Sequence, residues 1–169
     1  MRQTAVLMVV AGAAALGIAW WSEYVLGHVP CGLCLWERWP YRIVAVLGLL
    51  AAFLPRDGAR SVLVLCIPVL AVAVGLGFVH VGVEQGWWAS PLPECRAPVF
   101  HGGSFAQRLA AMPARPAKPC DAPTYLVPGV PLSMAALGSL YAGVLIFIVR
   151  RGTQVRTRFR GRGRKSIQG

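Results

Sequence analysis

Residues 61–83 read SVLVLCIPVLAVAVGLGFVHVGV and contain no lysine, arginine, aspartate or glutamate. As an α-helix this run rises roughly 35 Å at about 1.5 Å per residue. That is enough to cross a hydrocarbon core of about 30 Å. A soluble domain has little use for so long an uncharged run. The rest of the chain agrees: 56% of its 169 residues are hydrophobic and 14% are charged, and the mean hydropathy is +0.58. Soluble domains are nearer 45–50% apolar and about 25% charged. The expected class is therefore an all-α membrane protein.

Three further runs flank this one. Residues 4–21 are uncharged and end on Trp20–Trp21, a pair suited to the headgroup level. The run from about Pro40 to Leu54 is short for a span, and reaches that length only if its first turn includes Leu35 to Trp39. Residues 130–149 are closed by Arg150 and Arg151. The prediction is a four-transmembrane-helix bundle formed by residues 1–149, with spans at about 4–21, 36–54, 61–83 and 130–149. The first run could also be read as a signal peptide, with Arg2 before it and Ala13 to Ala15 as small residues. It is longer than the usual apolar region of about 7–15 residues, so it is taken as a span.

Charge sets the orientation. The net charge is +11, and eight of the 17 basic residues lie between Arg150 and Lys165. Arg2, the turn at 55–60 with Arg56 and Arg60, and this tail belong on one side by the positive-inside rule. Both termini are then cytoplasmic. Loops 22–35 and 84–129 face the other side, in bacteria the periplasm, which makes the expected location the bacterial inner membrane. The tail at 150–169 is expected to be disordered. A basic run directly after a span suits anionic lipid rather than nucleic acid, and a monomer is expected.

The second outer loop holds eight of the 13 prolines and so resists regular structure. Within it, residues 104–112 read as a short helix. Phe105, Leu109 and Met112 fall on one face, suited either to the membrane interface or to packing on the bundle.

There are five cysteines. Cys31 and Cys34 form C-x-x-C in the first outer loop, Cys95 and Cys120 lie in the second, and Cys66 lies inside the third span. Four thiols in an oxidising compartment suggest two disulfides. A C-x-x-C alone allows a zinc half-site, a structural disulfide or a redox pair. Zinc prefers a second close pair, and Cys95 and Cys120 are too far apart in sequence to supply one, so no metal is expected. Arg38 stands one helical turn after Cys34, where a cation and a helix N-terminus would favour a thiolate. Pro40 suggests a kinked turn over residues 35–39 before a straight span. His80 is an ionisable group at membrane depth, a functional candidate by default. It could serve a quinone carbonyl or simply be satisfied by a neighbouring carbonyl. Glu84 can share its face. Glu37 could be a salt-bridged acid. Cys66 reads as an inert small hydrophobe.

CGLCLWERWP at 31–40, HVGVEQGWW at 80–88, Cys95, and Cys120–Asp121 together resemble the DsbB family of disulfide bond formation proteins, in its alphaproteobacterial form. The resemblance runs from about Trp20 to Val149. It implies a protein-disulfide oxidoreductase that reoxidises a periplasmic DsbA-type thiol oxidase and reduces a membrane quinone, either ubiquinone or menaquinone. It also implies roles. Cys95 is attacked by the partner, Cys120 attacks Cys31, and Cys34 is freed beside the quinone. Arg38, His80 and Glu37 are the candidate quinone-binding residues. The family's fourth span opens with a tryptophan–asparagine pair, whereas Ser133–Met134–Ala135–Ala136 stands here, so no quinone contact is assigned to that span. A DsbA-type partner has a potential near −120 mV, so its acceptor must lie higher, as a quinone does and glutathione does not.

Two alternatives stand beside this reading. A vitamin K epoxide reductase-type enzyme also couples thiols to a quinone, but there the C-x-x-C follows the loop cysteines. A structural or scaffold membrane protein would use both disulfides as staples.

Overall fold

The computed structural model describes residues 1–92, 95, 104–110, 118–126, 129 and 131–165. Among the described residues, the regular secondary structure is helical, with a single isolated antiparallel bridge between Tyr125 and Ser133. The helices are α1 (Arg2–Tyr24), α2 (Gly32–Phe53), α3 (Arg56–Glu84), α4 (Phe105–Ala110) and α5 (Met134–Lys165). Among the described residues, α1, α3 and the Met134–Gln154 part of α5 are long and apolar enough to cross a membrane. The protein is thus a multi-pass membrane protein. The second expected span corresponds to α2, whose first half carries Glu37, Arg38 and Arg42.

Local chemistry sets the helix ends. Cys31 caps α2, its sulfur accepting from the Cys34 N–H at 3.3 Å. This cap starts the helix at Gly32, ahead of the expected residue 36. No separate turn forms at residues 35–39: Pro40 is taken into one continuous helix. A proline there forfeits one backbone bond, which a membrane helix tolerates when its neighbours are packed around it, and Pro40 is buried. The last helix starts at Met134 rather than 130. Ser133 caps it by accepting from the Ala136 N–H, and Ser is a preferred capping residue.

The tail expected to be disordered is instead helical as far as Lys165. Arginine, lysine and glutamine are good helix formers, and extending a helix costs far less than starting one. In the second loop the helix is Phe105–Ala110. Met112 of the expected 104–112 segment lies outside the described residues, as do Pro93, Pro98, Pro113, Pro116 and Pro128. Phe105 and Leu109 are both exposed.

In chain order, α1 packs on α2, α2 on α3, and α3 on α5, with a slighter contact from α5 back to α1. The core between them holds Met8, Tyr41, Val44, Leu63, Cys66, Leu70, Ala142, Leu145 and Val149. In lipid, apolar attraction alone does not join helices, so small residues allow close backbone approach. Gly48 meets α1 in this way: a Cβ there would lie 2.9 Å from the Val9 nitrogen and 3.0 Å from the Ala5 oxygen. Two tyrosines add hydrogen bonds between helices. Tyr41 donates to the Gly138 carbonyl at 2.8 Å, and Tyr141 to the Ala11 carbonyl at 3.0 Å. The outward faces keep large apolar side chains exposed, among them Val10, Trp20, Trp21, Val46, Val72 and Phe147, as a lipid-facing surface requires.

The VEQGWW stretch has a specific local purpose. Gly86 takes φ +72° just past α3, the left-handed position in which glycine closes helices. The chain then folds back, so that the Trp88 Nε1–H donates to the Val79 carbonyl at 3.1 Å. The Trp88 ring occupies the space a side chain at residue 82 would fill, so that position is glycine. This closure fixes the end of α3 that carries His80 and Glu84.

Candidate thiol and cavity site

The start of α2 carries the C-x-x-C pair. Cys31 is buried, Cys34 is half-buried, and their sulfurs lie 2.8 Å apart as free thiols. Cys95 and Cys120 are disulfide-bonded to each other. All four cysteines share one buried cluster with Leu33, Val83 and Leu92. The fold therefore brings together two pairs that the sequence separates by more than sixty positions. Cys66 stays apart, in the core between the helices.

The Cys31 thiol is held below its ordinary range. The largest cause is the hydrogen bond from the Cys34 thiol, and the Cys34 backbone N–H lowers it further, while burial and the Glu37 carboxylate oppose these effects. The sequence reading placed the helix N-terminus and Arg38 around Cys34. In the structure, the exposed N–H of the first turn points to Cys31.

His80 comes from the last turns of α3 and is 3% exposed. Its Nδ1 lies 2.9 Å from Glu37 Oε1 on α2. A carboxylate can only accept, so Nδ1 donates to Glu37 and Nε2 faces inward. Nε2 lies 3.5 Å from the Cys31 sulfur and 3.9 Å from Glu84 Oε1. Among the described residues, the other Glu84 oxygen, which is buried, has no hydrogen-bond partner. His80 thus reaches the thiol pair directly, and Glu37 orients it.

Arg38 does lie one turn after Cys34, but its Nη1 donates to Glu23 Oε2 of α1 at 2.9 Å. The sequence reading did not single out Glu23. The available signal was that it is the sole acid of the first outer loop. Tyr41 and Tyr141 were likewise not singled out, although Tyr141 is a polar-tipped residue deep in an apolar run.

Cys34, Glu37, Arg38, His80 and Glu84 all line one cavity of about 390 Å³. Its other walls include Ala15, Ile18, Leu137 and Tyr141 from α1 and α5, with His28 and Pro30 from the first loop. An apolar cavity of this size with a few converging polar groups is the usual form of a small-molecule site. Every residue named as a site candidate from the sequence lies either on this cavity or in the cysteine cluster against it.

Comparison with known proteins agrees with this arrangement. An uncharacterized protein of Rickettsia prowazekii is 31% identical over 72 residues, covering 43% of this chain and 41% of that protein. Disulfide bond formation protein B 1 of Pseudomonas entomophila is 32% identical over 94 residues, 56% of this chain and 54% of the relative. The protein of the same name from Pseudomonas putida is 34% identical over 80 residues, 47% and 46% respectively. The chain thus spans about half the length of each relative it matches. No solved structure matches it. Residues 1–150 match the family described as disulfide bond formation protein DsbB, and with its cysteine pairs gathered at one end of a membrane helix bundle, the chain belongs to that family.

Proposed function

We propose that this protein reoxidises a periplasmic DsbA-type dithiol oxidase and passes the electrons to a membrane quinone. One observation carries the reading: the Cys31–Cys34 pair borders an apolar cavity on one side and the Cys95–Cys120 disulfide on the other.

The thiol steps follow from this packing. A partner thiolate attacks the Cys95 sulfur and displaces the Cys120 thiolate. Cys120 then attacks Cys31 in the closed Cys31–Cys34 disulfide, and Cys34 leaves as a thiolate. When the partner's second thiol resolves its bond to Cys95, the partner departs oxidised. Cys95 returns to Cys120, and Cys31 and Cys34 are left reduced. Each exchange forms one S–S bond and breaks one. The cysteine pairing seen here, with the loop pair closed and the helix pair open, corresponds to that last state.

The cavity suits a quinone, with apolar walls for a ring, with Arg38 as a donor for its oxygens, and with His80 as a second donor once Nε2 carries a proton. Bound there, a quinone supplies the two-electron, two-proton sink that closing Cys31–Cys34 requires. His80 Nε2 is placed to take the Cys31 proton, and Glu37 keeps the imidazole in the orientation to do so. Ubiquinone and menaquinone both meet these requirements.

The same reading takes α2 as the fourth span. Both termini then lie in the cytoplasm, loops 22–35 and 84–129 in the periplasm, and the protein is a monomer in the bacterial inner membrane. The basic end of α5 lies against anionic lipid. Purified protein with a reduced DsbA-type partner and excess quinone should oxidise the partner catalytically. An absence of turnover, with both cysteine pairs inert to the partner, overturns the reading in favour of stapling disulfides.

A further inference from the structure

We propose that the reduced centre is also a redox-gated binding site for a borderline-soft divalent cation such as Zn²⁺. Three ligand atoms already converge. The Cys31 and Cys34 sulfurs and one nitrogen of His80 all lie within 4.8 Å of one another. Donors around tetrahedral zinc, at about 2.0–2.3 Å from the metal, stand roughly 3.3–3.8 Å apart. The Cys31 sulfur and His80 Nε2, at 3.5 Å, have that spacing now. The two sulfurs, at 2.8 Å, need to open by about 1 Å.

Two other features fit a cation and are not needed by a bare dithiol. His80 Nδ1 is held by Glu37 at 2.9 Å. Zinc-ligating histidines are commonly oriented by a carboxylate on the far nitrogen in this way. Glu84 is buried to 3% side-chain exposure, with Oε1 3.9 Å from Nε2 and, among the described residues, Oε2 without a hydrogen-bond partner. A buried carboxylate oxygen with no partner is costly, and a cation beside His80 would gain it as the fourth ligand. Charge points the same way. Cys31, Cys34, Glu37 and Glu84 are all acids around one imidazole, and Arg38 is engaged by Glu23.

Binding is written as Zn²⁺ + 2 R–SH → Zn(SR)₂ + 2 H⁺, and no electrons move. The closed disulfide offers no thiolate, so the site exists only in the reduced state. While the metal holds both sulfurs, neither can re-form the disulfide. The binding claim rests on the dithiol geometry alone. Its inhibitory consequence rests on the thiol-oxidase reading above.

The test uses the full chain in detergent with Cys95→Ala and Cys120→Ala, so that Cys66 is the only other thiol. Co²⁺ is the probe, read by its thiolate-to-metal charge-transfer absorption and then displaced with Zn²⁺. The reduced protein should bind one ion with two thiolates, and the oxidised protein none. Cys66→Ala should bind as the parent does. Glu37→Gln keeps every ligand and should weaken binding about 10–100-fold. Either no charge-transfer band in the reduced protein, or a band unchanged by both His80→Ala and Glu37→Gln, overturns the site. In the unmodified chain, Zn²⁺ should stop quinone-dependent turnover and a chelator should restore it. A reduced protein that binds Co²⁺ but never turns over, even without zinc, overturns the oxidase reading and leaves the site standing.

Discussion

Glu37 on α2 and His80 on α3 are joined at 2.9 Å across the helix interface, with His80 almost wholly buried. The contact aligns the imidazole with Cys31 and couples the two helices at the end that holds the cysteine cluster.

Replacing Glu37 with Ala should therefore cost stability as well as activity. It leaves a buried His80 nitrogen without an acceptor, a loss of about 1–3 kcal/mol. Glu37→Gln, which can still accept a hydrogen bond, should lose less. Thermal unfolding in detergent measures the difference. Equal losses in the two variants would show that the contact is not what holds His80.

The low Cys31 pKa depends first on the Cys34 thiol. In the reduced protein, Cys31 should thus remain a thiolate at pH values where an ordinary thiol is protonated. Removing the Cys34 side chain with Cys34→Ala should raise the Cys31 pKa, so that the thiolate disappears at a higher pH as acid is added. Thiolate absorbance followed against pH in a Cys66→Ala, Cys95→Ala, Cys120→Ala background reports this. A titration that does not move would mean that the helix N-terminus alone sets the value.

Arg38 and Glu23 form a partly buried ion pair, with side chains 11% and 27% exposed. Arg38→Met and Glu23→Gln should each raise the KM for quinone. A double-mutant cycle should give a coupling of about 0.5–3 kcal/mol, as for residues in direct contact. Strictly additive losses would mean that Glu23 does not position Arg38.

Gly48→Val should disrupt the α1–α2 interface. The added atoms meet backbone on α1 rather than a movable side chain, and overpacking of this kind costs about 1–3 kcal/mol. Cys66→Ala should leave thiol oxidation intact, since Cys66 lies in the interhelical core away from the cysteine cluster. An inactive Cys66→Ala variant that is still folded would show that the thiol has a role.

Much of the bundle was legible from patterns local in the chain. Length and hydropathy found the apolar helices, because a membrane span must satisfy its backbone bonds within one continuous segment. The helix ends were less legible. Cys31 and Ser133 each set a boundary by a capping bond that differs from the hydropathy limits. The extent of α5 to Lys165 was not legible for a related reason, since composition says nothing of a helix already nucleated in the preceding span.

By itself, the sequence determined the membrane class, the C-x-x-C, and the spacing that puts Arg38 one turn from Cys34. Those features are set by neighbours along the chain. Only the tertiary structure decided that His80, 49 positions from Cys31, faces that thiol, that Glu37 orients it, and that Glu23 holds Arg38. Such pairings depend on how helices rotate and pack against one another, and no local period encodes that. The C-x-x-C read alone allowed a zinc half-site and was set aside for want of a second close pair; the further ligands of the proposed site come from another helix, which spacing along the chain does not show.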